Sequence, residues 1–175
     1  MQIDALAALD NADLDERRTI CLYNESWHQG VVGLVASRVK EKFHRPTIAF
    51  ARAGDAELRG SGRSIEGVHL RDTLDLVTKR APDLVTRFGG HAMAAGLTLR
   101  VEGYEGFTTA FEDATRDSSD HALFARVIAT DGPLAARDIS LALINAVDAH
   151  VWGQGFPPPL FDNEFDVLDR VVLKE

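Results

Sequence analysis

The sequence predicts an α/β fold, a mixed β-sheet flanked by helices, followed by a partial β segment. Three observations predict it. Up to about residue 117, short runs with two-residue apolar alternation interleave with runs whose apolar residues recur at i, i+3, i+4 and i+7. Gly, Pro or Asp/Ser punctuation separates the runs, as at Pro46, Pro82 and Asp117-Ser118-Ser119-Asp120. Beyond that last break the helical runs thin out and short alternating runs dominate. Interleaved strands and helices call for helices packed on a sheet. The division is residues 1–117 for the α/β domain and 118–175 for a linker helix and the beginning of a β domain.

Taken in order, Ile3, Leu6 and Leu9 predict the end of a helix. Residues 18–23 predict a strand, with Ile20 and Leu22 alternating against Cys21 and Tyr23. Residues 30–43 predict a helix on the stripe Val32, Val35, Ala36, Val39, with Arg38, Lys40 and Lys42 off that stripe. Pro46 breaks it, and residues 47–50 form a buried strand. Residues 57–60 predict a strand running into a glycine loop at 60–64. Leu70, Thr73, Leu74 and Val77 mark a second helix, ending before Pro82. A second glycine loop at 89–96 leads into a strand in which Leu97, Leu99 and Val101 alternate with Thr98 and Arg100. Tyr104, Phe107, Phe111 and Ala114 mark a third helix. After the break come a strand at 123–129, a helix on Ile139, Leu143 and Val147, a rigid or extended stretch at 153–159, and two strands at 164–168 and 170–174.

Composition narrows the class. The chain has 175 residues, 45% hydrophobic and 26% charged, which suits a globular domain. No apolar run approaches the roughly 18 residues that span a bilayer, and residues 1–15 lack the pattern of a secretory signal. No membrane role is expected. The single Cys21 cannot form an internal disulfide, sits in a predicted strand as a small core residue, and fits a cytoplasmic setting. The net charge of −8 is unevenly spread. Residues 1–37 hold two Arg against six acids, −4; residues 38–100 hold twelve Lys and Arg against seven acids, +5; residues 101–175 hold five against fourteen, −9. The basic excess coincides with both glycine segments. It is either a set of solvated helix faces or one face for a polyanion.

Gly60-Ser61-Gly62-Arg63-Ser64 and Gly89-Gly90-His91-Ala92-Met93-Ala94-Ala95-Gly96 are the candidate site. Glycines let backbone N–H groups approach an anion, while serine, arginine and histidine supply further donors for phosphate oxygens. The competing readings are a β-bulge or tight turn for the first segment and a structural cap for His91. Neither segment is a Walker loop or a G-x-G-x-x-G fingerprint. Trp27-His28-Gln29-Gly30 precedes the first helix, where free N–H groups attract anions. Trp27 is either a stacking platform for a base or a core residue, and His28 either a ligand contact or a cap. His28, His44, His69, His91, His121 and His150 show no metal-ligand spacing, and no Asp/His cluster suits a two-metal site. The spacing therefore points to phosphate recognition and to no metal ligands in this chain.

Together these segments resemble the C-terminal half of the RecJ family of single-strand-specific 5′→3′ DNA exonucleases. The resemblance rests on Trp27-His28-Gln29-Gly30-Val31-Val32-Gly33 through Ala36-Ser37-Arg38, Arg45-Pro46, Gly60–Ser64, Phe88–Gly96 and Trp152-Gly153-Gln154-Gly155-Phe156-Pro157. The Gly-Gly-His segment alone marks the wider DHHA1 domain, shared with oligoribonucleases, other phosphodiesterases and alanyl-tRNA synthetase. The resemblance implies a DHHA1-like domain followed by the start of an OB-fold. It implies an absent DHH domain that holds the catalytic Mn2+ or Mg2+, and a chain inactive by itself. Ser61 and Arg63 would hold a 5′-terminal phosphate, and His91, the catalytic candidate, would orient the phosphate being cleaved. Trp27, His28, Gly60, Gly62, Ser64, Gly89 and Gly90 complete the substrate-binding set. Single-stranded DNA is the implied partner, with single-stranded-DNA-binding protein a further candidate and a monomeric state expected. The alternatives are an oligoribonucleotide or cyclic-dinucleotide phosphodiesterase and a non-catalytic RNA-binding module.

Overall fold

Strand β2 (Thr47–Arg52) is apolar on both faces and lies inside a five-stranded sheet. In this computed structural model residues 16–153 and 156–171 are described. The strands are β1 (Ile20–Tyr23), β2, β3 (Glu57–Arg63), β4 (Val85–Gly90) and β5 (Ala94–Arg100), in the order β1-β2-β3-β5-β4. The β1–β2 pair is parallel and the others antiparallel, so the sheet is mixed. The parallel pair needs a crossover, which helix α1 (Val32–Phe43) supplies. Its stripe Val32, Val35, Ala36 and Val39 is buried against Ile20, Trp27, Ala49 and Ala51. It stops at His44, whose left-handed φ of 50° turns the chain toward Pro46.

The opposite face carries α2 (Leu70–Arg80) and α3 (Tyr104–Ser118). His69 caps α2 by accepting a hydrogen bond from the Asp72 N–H at 3.2 Å. Leu70, Leu74 and Val77 of α2 and Phe107, Phe111 and Ala114 of α3 pack with Ile48, Phe50, Leu58, Leu97 and Leu99 of the sheet. Phe50 meets Phe107 edge-on at 5.7 Å, and Phe107 stacks on Phe111 at 5.8 Å. Cys21 packs against this cluster, and burial pushes its thiol up to about 12, which suits a core residue and not a nucleophile. A short 3-10 helix, His121–Phe124, brings Phe124 onto Ile65 and Val68. Residues 118–126, which the sequence groups with the second segment, therefore pack with the first unit, which runs through Arg126.

Both expected glycine loops are largely strand. Strand β3 continues to Arg63, because Gly60 and Gly62 face the core where larger residues need the space. A Cβ at Gly60 would lie 2.5 Å from the Phe50 ring, and one at Gly62 would lie 2.8 Å from Leu70. The second segment is a hairpin, in which Gly89 and Gly90 end β4, His91-Ala92-Met93 turn, and Ala94 opens β5. Gly90 has φ 150°, and a Cβ there would lie 2.4 Å from the Ala94 carbonyl oxygen, so only glycine closes this turn.

The second unit begins at Val127. It holds helix α4 (Leu141–Asp148), capped by the Ser140 hydroxyl, which accepts from the Leu143 N–H at 3.3 Å. The Trp152 indole N–H donates to the Val147 carbonyl at 2.9 Å, and a single bridge joins Gly153 to Phe156. The strands expected at 123–129 and 164–168 are not formed, and 170–171 is also irregular. Among the described residues no neighbouring strand pairs with them, and a lone strand leaves its backbone groups without partners. The expected positions 3–9 and 172–174 lie outside the described residues. No described helix is long and apolar enough to cross a membrane.

Candidate nucleic-acid interface

Helix α1 packs on β2 and β3, and its cover does not extend to Gly89 and Gly96, which are exposed. On this face, partly covered by α1 at β3 and open toward β4, the register sets residues in rows across β3, β5 and β4. Arg59, Thr98 and Arg87 form one row, Ser61, Gly96 and Gly89 the next, and Arg63 with Ala94 the third. The first two rows, with Gln29 beneath α1, line a groove of about 400 Å³. Gly89 and Gly96 floor it: a Cβ at Gly89 would meet nothing within 4 Å.

Arg63 and Ser61 stand together under the first turn of α1. The Arg63 Nη1 donates to the Gly62 carbonyl at 2.8 Å and to the Ser61 hydroxyl at 3.2 Å. Gly33 makes room for the pair, since a Cβ there would sit 3.1 Å from both Arg63 Nη2 and Ser61 Oγ. His91 is exposed in the neighbouring turn, and its backbone N–H donates to the Ala94 carbonyl at 2.8 Å. The third row and the His91 turn thus share one end of the sheet.

Other expected site residues go elsewhere. Trp27 is only 6% exposed, within the α1 cluster, so it is core and not a stacking platform. His28 is exposed and its Nδ1 accepts from the Gly30 N–H at 3.1 Å in the turn before α1, whose N-cap Val31 has no side-chain cap. Ser64 is 1% exposed and its hydroxyl donates to the Val68 carbonyl at 2.6 Å, so it pins the chain after β3 and offers no donor to the groove. Gly60 and Gly62 serve core packing, as above, and cradle no anion. Gly89 is groove floor and Gly90 shapes the turn.

Gln29 and Gly96, which lie inside the segments singled out from the sequence, complete the face with Arg59 and Arg87, which lie outside them. The signal for Arg59 was present: alternation with Ser61 and Arg63 puts all three on one side once 57–63 is a strand. Arg87 had no local signal, because its place depends on pairing with β5. The electrostatics are one-sided. Arg38, Arg52, Arg80 and Arg100 each pair with a carboxylate. Among the described residues Arg59, Arg63 and Arg87 have no carboxylate partner, so this side of the sheet carries three cations outside ion pairs, two of them lining the groove. That donor set does not fit a divalent cation, and no group of three His, Cys, Asp or Glu gathers among the described residues.

Remote from the groove, Glu112 on α3 accepts from the Thr19 hydroxyl at 2.7 Å and from the Arg18 and Thr19 N–H groups at 3.0 and 2.9 Å. Burial pushes its carboxyl up, but these bonds and Arg116 outweigh that and hold it below the usual carboxylate range. Burial likewise raises Tyr104, which packs against Phe50.

Residues 17–117 match the DHHA1 domain. The single-stranded-DNA-specific exonuclease RecJ of Salmonella typhimurium is 45% identical over 100% of this chain, and that of Escherichia coli is 42% identical over the same share. The chain spans 31% of the length of each. The crystal structure of RecJ in complex with Mg2+ from Thermus thermophilus superposes with a TM-score of 0.71 at 27% identity, covering 91% of this chain and 24% of that one. The likeness to RecJ runs the length of the sequence, and the match over residues 17–117 shows that the chain belongs to the DHHA1 domain family.

Proposed function

We propose that this chain is the strand-gripping part of a single-stranded-DNA-specific exonuclease that hydrolyses phosphodiester bonds 5′→3′ in recombination and repair. One observation carries the reading: Arg59, Arg63 and Arg87, none with a carboxylate partner among the described residues, share one face of the sheet with the glycine floor and the end that carries the His91 turn. Such a face suits a flexible polyanion, because phosphate supplies the missing charge and a floor without side chains leaves room for sugar and base. Ser61 and Arg63 take the terminal phosphate. A guanidinium presents several donors to the extra oxygen charge of a phosphate monoester. His91, in the turn at the same end of the sheet, orients the phosphate under attack. A divalent ion, Mg2+ or Mn2+ as in the Thermus thermophilus structures, would supply activation of the attacking water, and the arginine-rich donor set of this groove would not be what holds it. Monomeric state, a cytoplasmic setting and contact with single-stranded-DNA-binding protein belong to the same reading and rest on the family resemblance.

The test uses the chain as it stands. It is titrated with a 5′-labelled single strand at several salt concentrations, then incubated with the strand and Mn2+. Weak binding that falls with salt, and no cleavage, is the expected result. Binding indifferent to salt, or metal-dependent degradation by the chain alone, overturns the reading.

A further inference from the structure

Arg59 and Arg87 sit on the two strands that flank β5, both in register with Thr98. Two strand spacings, about 9.5 Å, separate their backbones, with one short side chain between them. Thr98 is 4% exposed and lies low between the arginines. Arg59 is held in place: its Nη1 donates to the Gln29 Oε1 at 2.9 Å, and the Gln29 Nε2 donates to the Arg52 carbonyl at 3.0 Å. That anchor is neutral, so it fixes the guanidinium without cancelling its charge. The Arg87 side chain is exposed and makes no hydrogen bond or ion pair among the described residues. Neither guanidinium has a carboxylate partner among the described residues, so an anion placed between them would relieve their mutual repulsion.

We propose that Arg59 and Arg87 form a second anion subsite, separate from Ser61 and Arg63, which takes an internal phosphodiester of the bound strand. The inference rests on the DNA-gripping reading above and deepens it. Arg59 lies four residues along β3 from Arg63, about 13 Å. The row Ser61, Gly96 and Gly89 lies between them. A strand can therefore set its terminal phosphate at Arg63, lay a nucleoside over the glycine row, and place a later phosphate between Arg59 and Arg87. The glycine row is needed because any Cβ there would occupy the space of the nucleoside. The chain thus reads two phosphates and the gap between them, and it favours an oligonucleotide over a mononucleotide.

The experiment measures binding of the 175-residue chain to three probes. These are thymidine 5′-monophosphate, 5′-phosphorylated trithymidylate, and the same trinucleotide with neutral methylphosphonate internal linkages. The wild type should bind the ordinary trinucleotide about tenfold or more tightly than the other two, as expected for one charge-assisted contact. The double variant Arg59→Ala/Arg87→Ala should lose that advantage and bind all three alike, with its affinity for the monophosphate unchanged. Its salt slope on the trinucleotide should fall by about 0.7 for the lost phosphate. Arg87→Lys should keep most of the slope. Arg63→Ala should weaken all three probes. If the double variant keeps the wild-type preference for the ordinary trinucleotide while Arg63→Ala weakens all probes, the second subsite is wrong and the DNA-gripping reading stands. Equal weakening of every probe by the double variant also overturns the second subsite. If the wild type binds none of the probes at low salt, both fall.

Discussion

Arg63 and His91 are tied to the same residue. Ala94 pairs in register with Arg63 across β3 and β5, and its carbonyl accepts the His91 backbone N–H at 2.8 Å. The link is made entirely by backbone, so neither side chain holds the turn in place. Substituting either one leaves the other where it is, and the two roles can be separated by mutation.

For Arg63 the expectation is a loss of discrimination. Its guanidinium hydrogen-bonds Gly62 and Ser61 and has no carboxylate partner among the described residues, so Arg63→Ala breaks no ion pair among them. It should cost about 1.5–3 kcal/mol in binding a 5′-phosphorylated strand, the range for a charged hydrogen bond. A 5′-hydroxyl strand should lose far less. Comparing the two strands by fluorescence titration checks this, and an unchanged preference contradicts the assignment.

For His91 the expected effect is on turnover. The imidazole is exposed and makes no side-chain hydrogen bond among the described residues, so His91→Ala should shift stability by no more than about 0.5 kcal/mol. In the intact enzyme it should lower kcat strongly while leaving strand affinity nearly intact, since a group that acts on the reacting phosphate stabilises the transition state more than the ground state. A lower Tm with a normal single-turnover rate would return His91 to the role of a structural cap.

Where structure depends on local periodicity, it was legible in the sequence. The Val32–Val39 stripe and the Phe107–Phe111 pair both face where their spacing predicts. What failed was non-local. The glycines at 60 and 62 suggest a loop, because glycine most often marks one. Their cause is the bulk of Phe50 and Leu70, which come from other elements. The site divided along the same line. Arg63 and Ser61, proposed from residue type, are hydrogen-bonded to each other, and His91 lies in the turn at the same end of the sheet. Trp27 and Ser64 have equally suitable chemistry but turn inward. The placing of Arg59 and Arg87 on either side of Thr98 exists only through the order β3-β5-β4, which no local pattern encodes.

Glu112 should make stability depend on acid. It anchors the segment entering β1 to α3 through Thr19 and Arg18. Its folded carboxyl is held below the unfolded value, which is about 4.3. Its stabilisation is therefore complete above that value and is lost as pH falls through the folded one. Glu112→Gln should destabilise the chain by about 1–3 kcal/mol at pH 7, and the gap from wild type should close below about pH 4. Urea unfolding of both proteins across pH 3–7 checks the sign, and a gap that widens on acidification refutes it.

Two glycines should respond in opposite ways to the same methyl group. At Gly60 the added Cβ meets the Phe50 ring at 2.5 Å and Leu97 at 2.9 Å. Both are core side chains, so Gly60→Ala overpacks the interior and should cost about 1–3 kcal/mol. Binding per folded molecule should be retained, because the change is on the covered face. At Gly89 the methyl enters open space, and Gly89 has no positive φ. Gly89→Ala should therefore leave stability unchanged or raise it by about 0.4–1 kcal/mol through the unfolded state. It should nonetheless weaken binding of a single strand, because the methyl rises from the groove floor between the two arginine rows. Thermal unfolding and strand titration on both variants give four measurements. The opposite pattern, with Gly89→Ala unfolding early and Gly60→Ala losing the strand, would mean that the groove lies on the other face of the sheet.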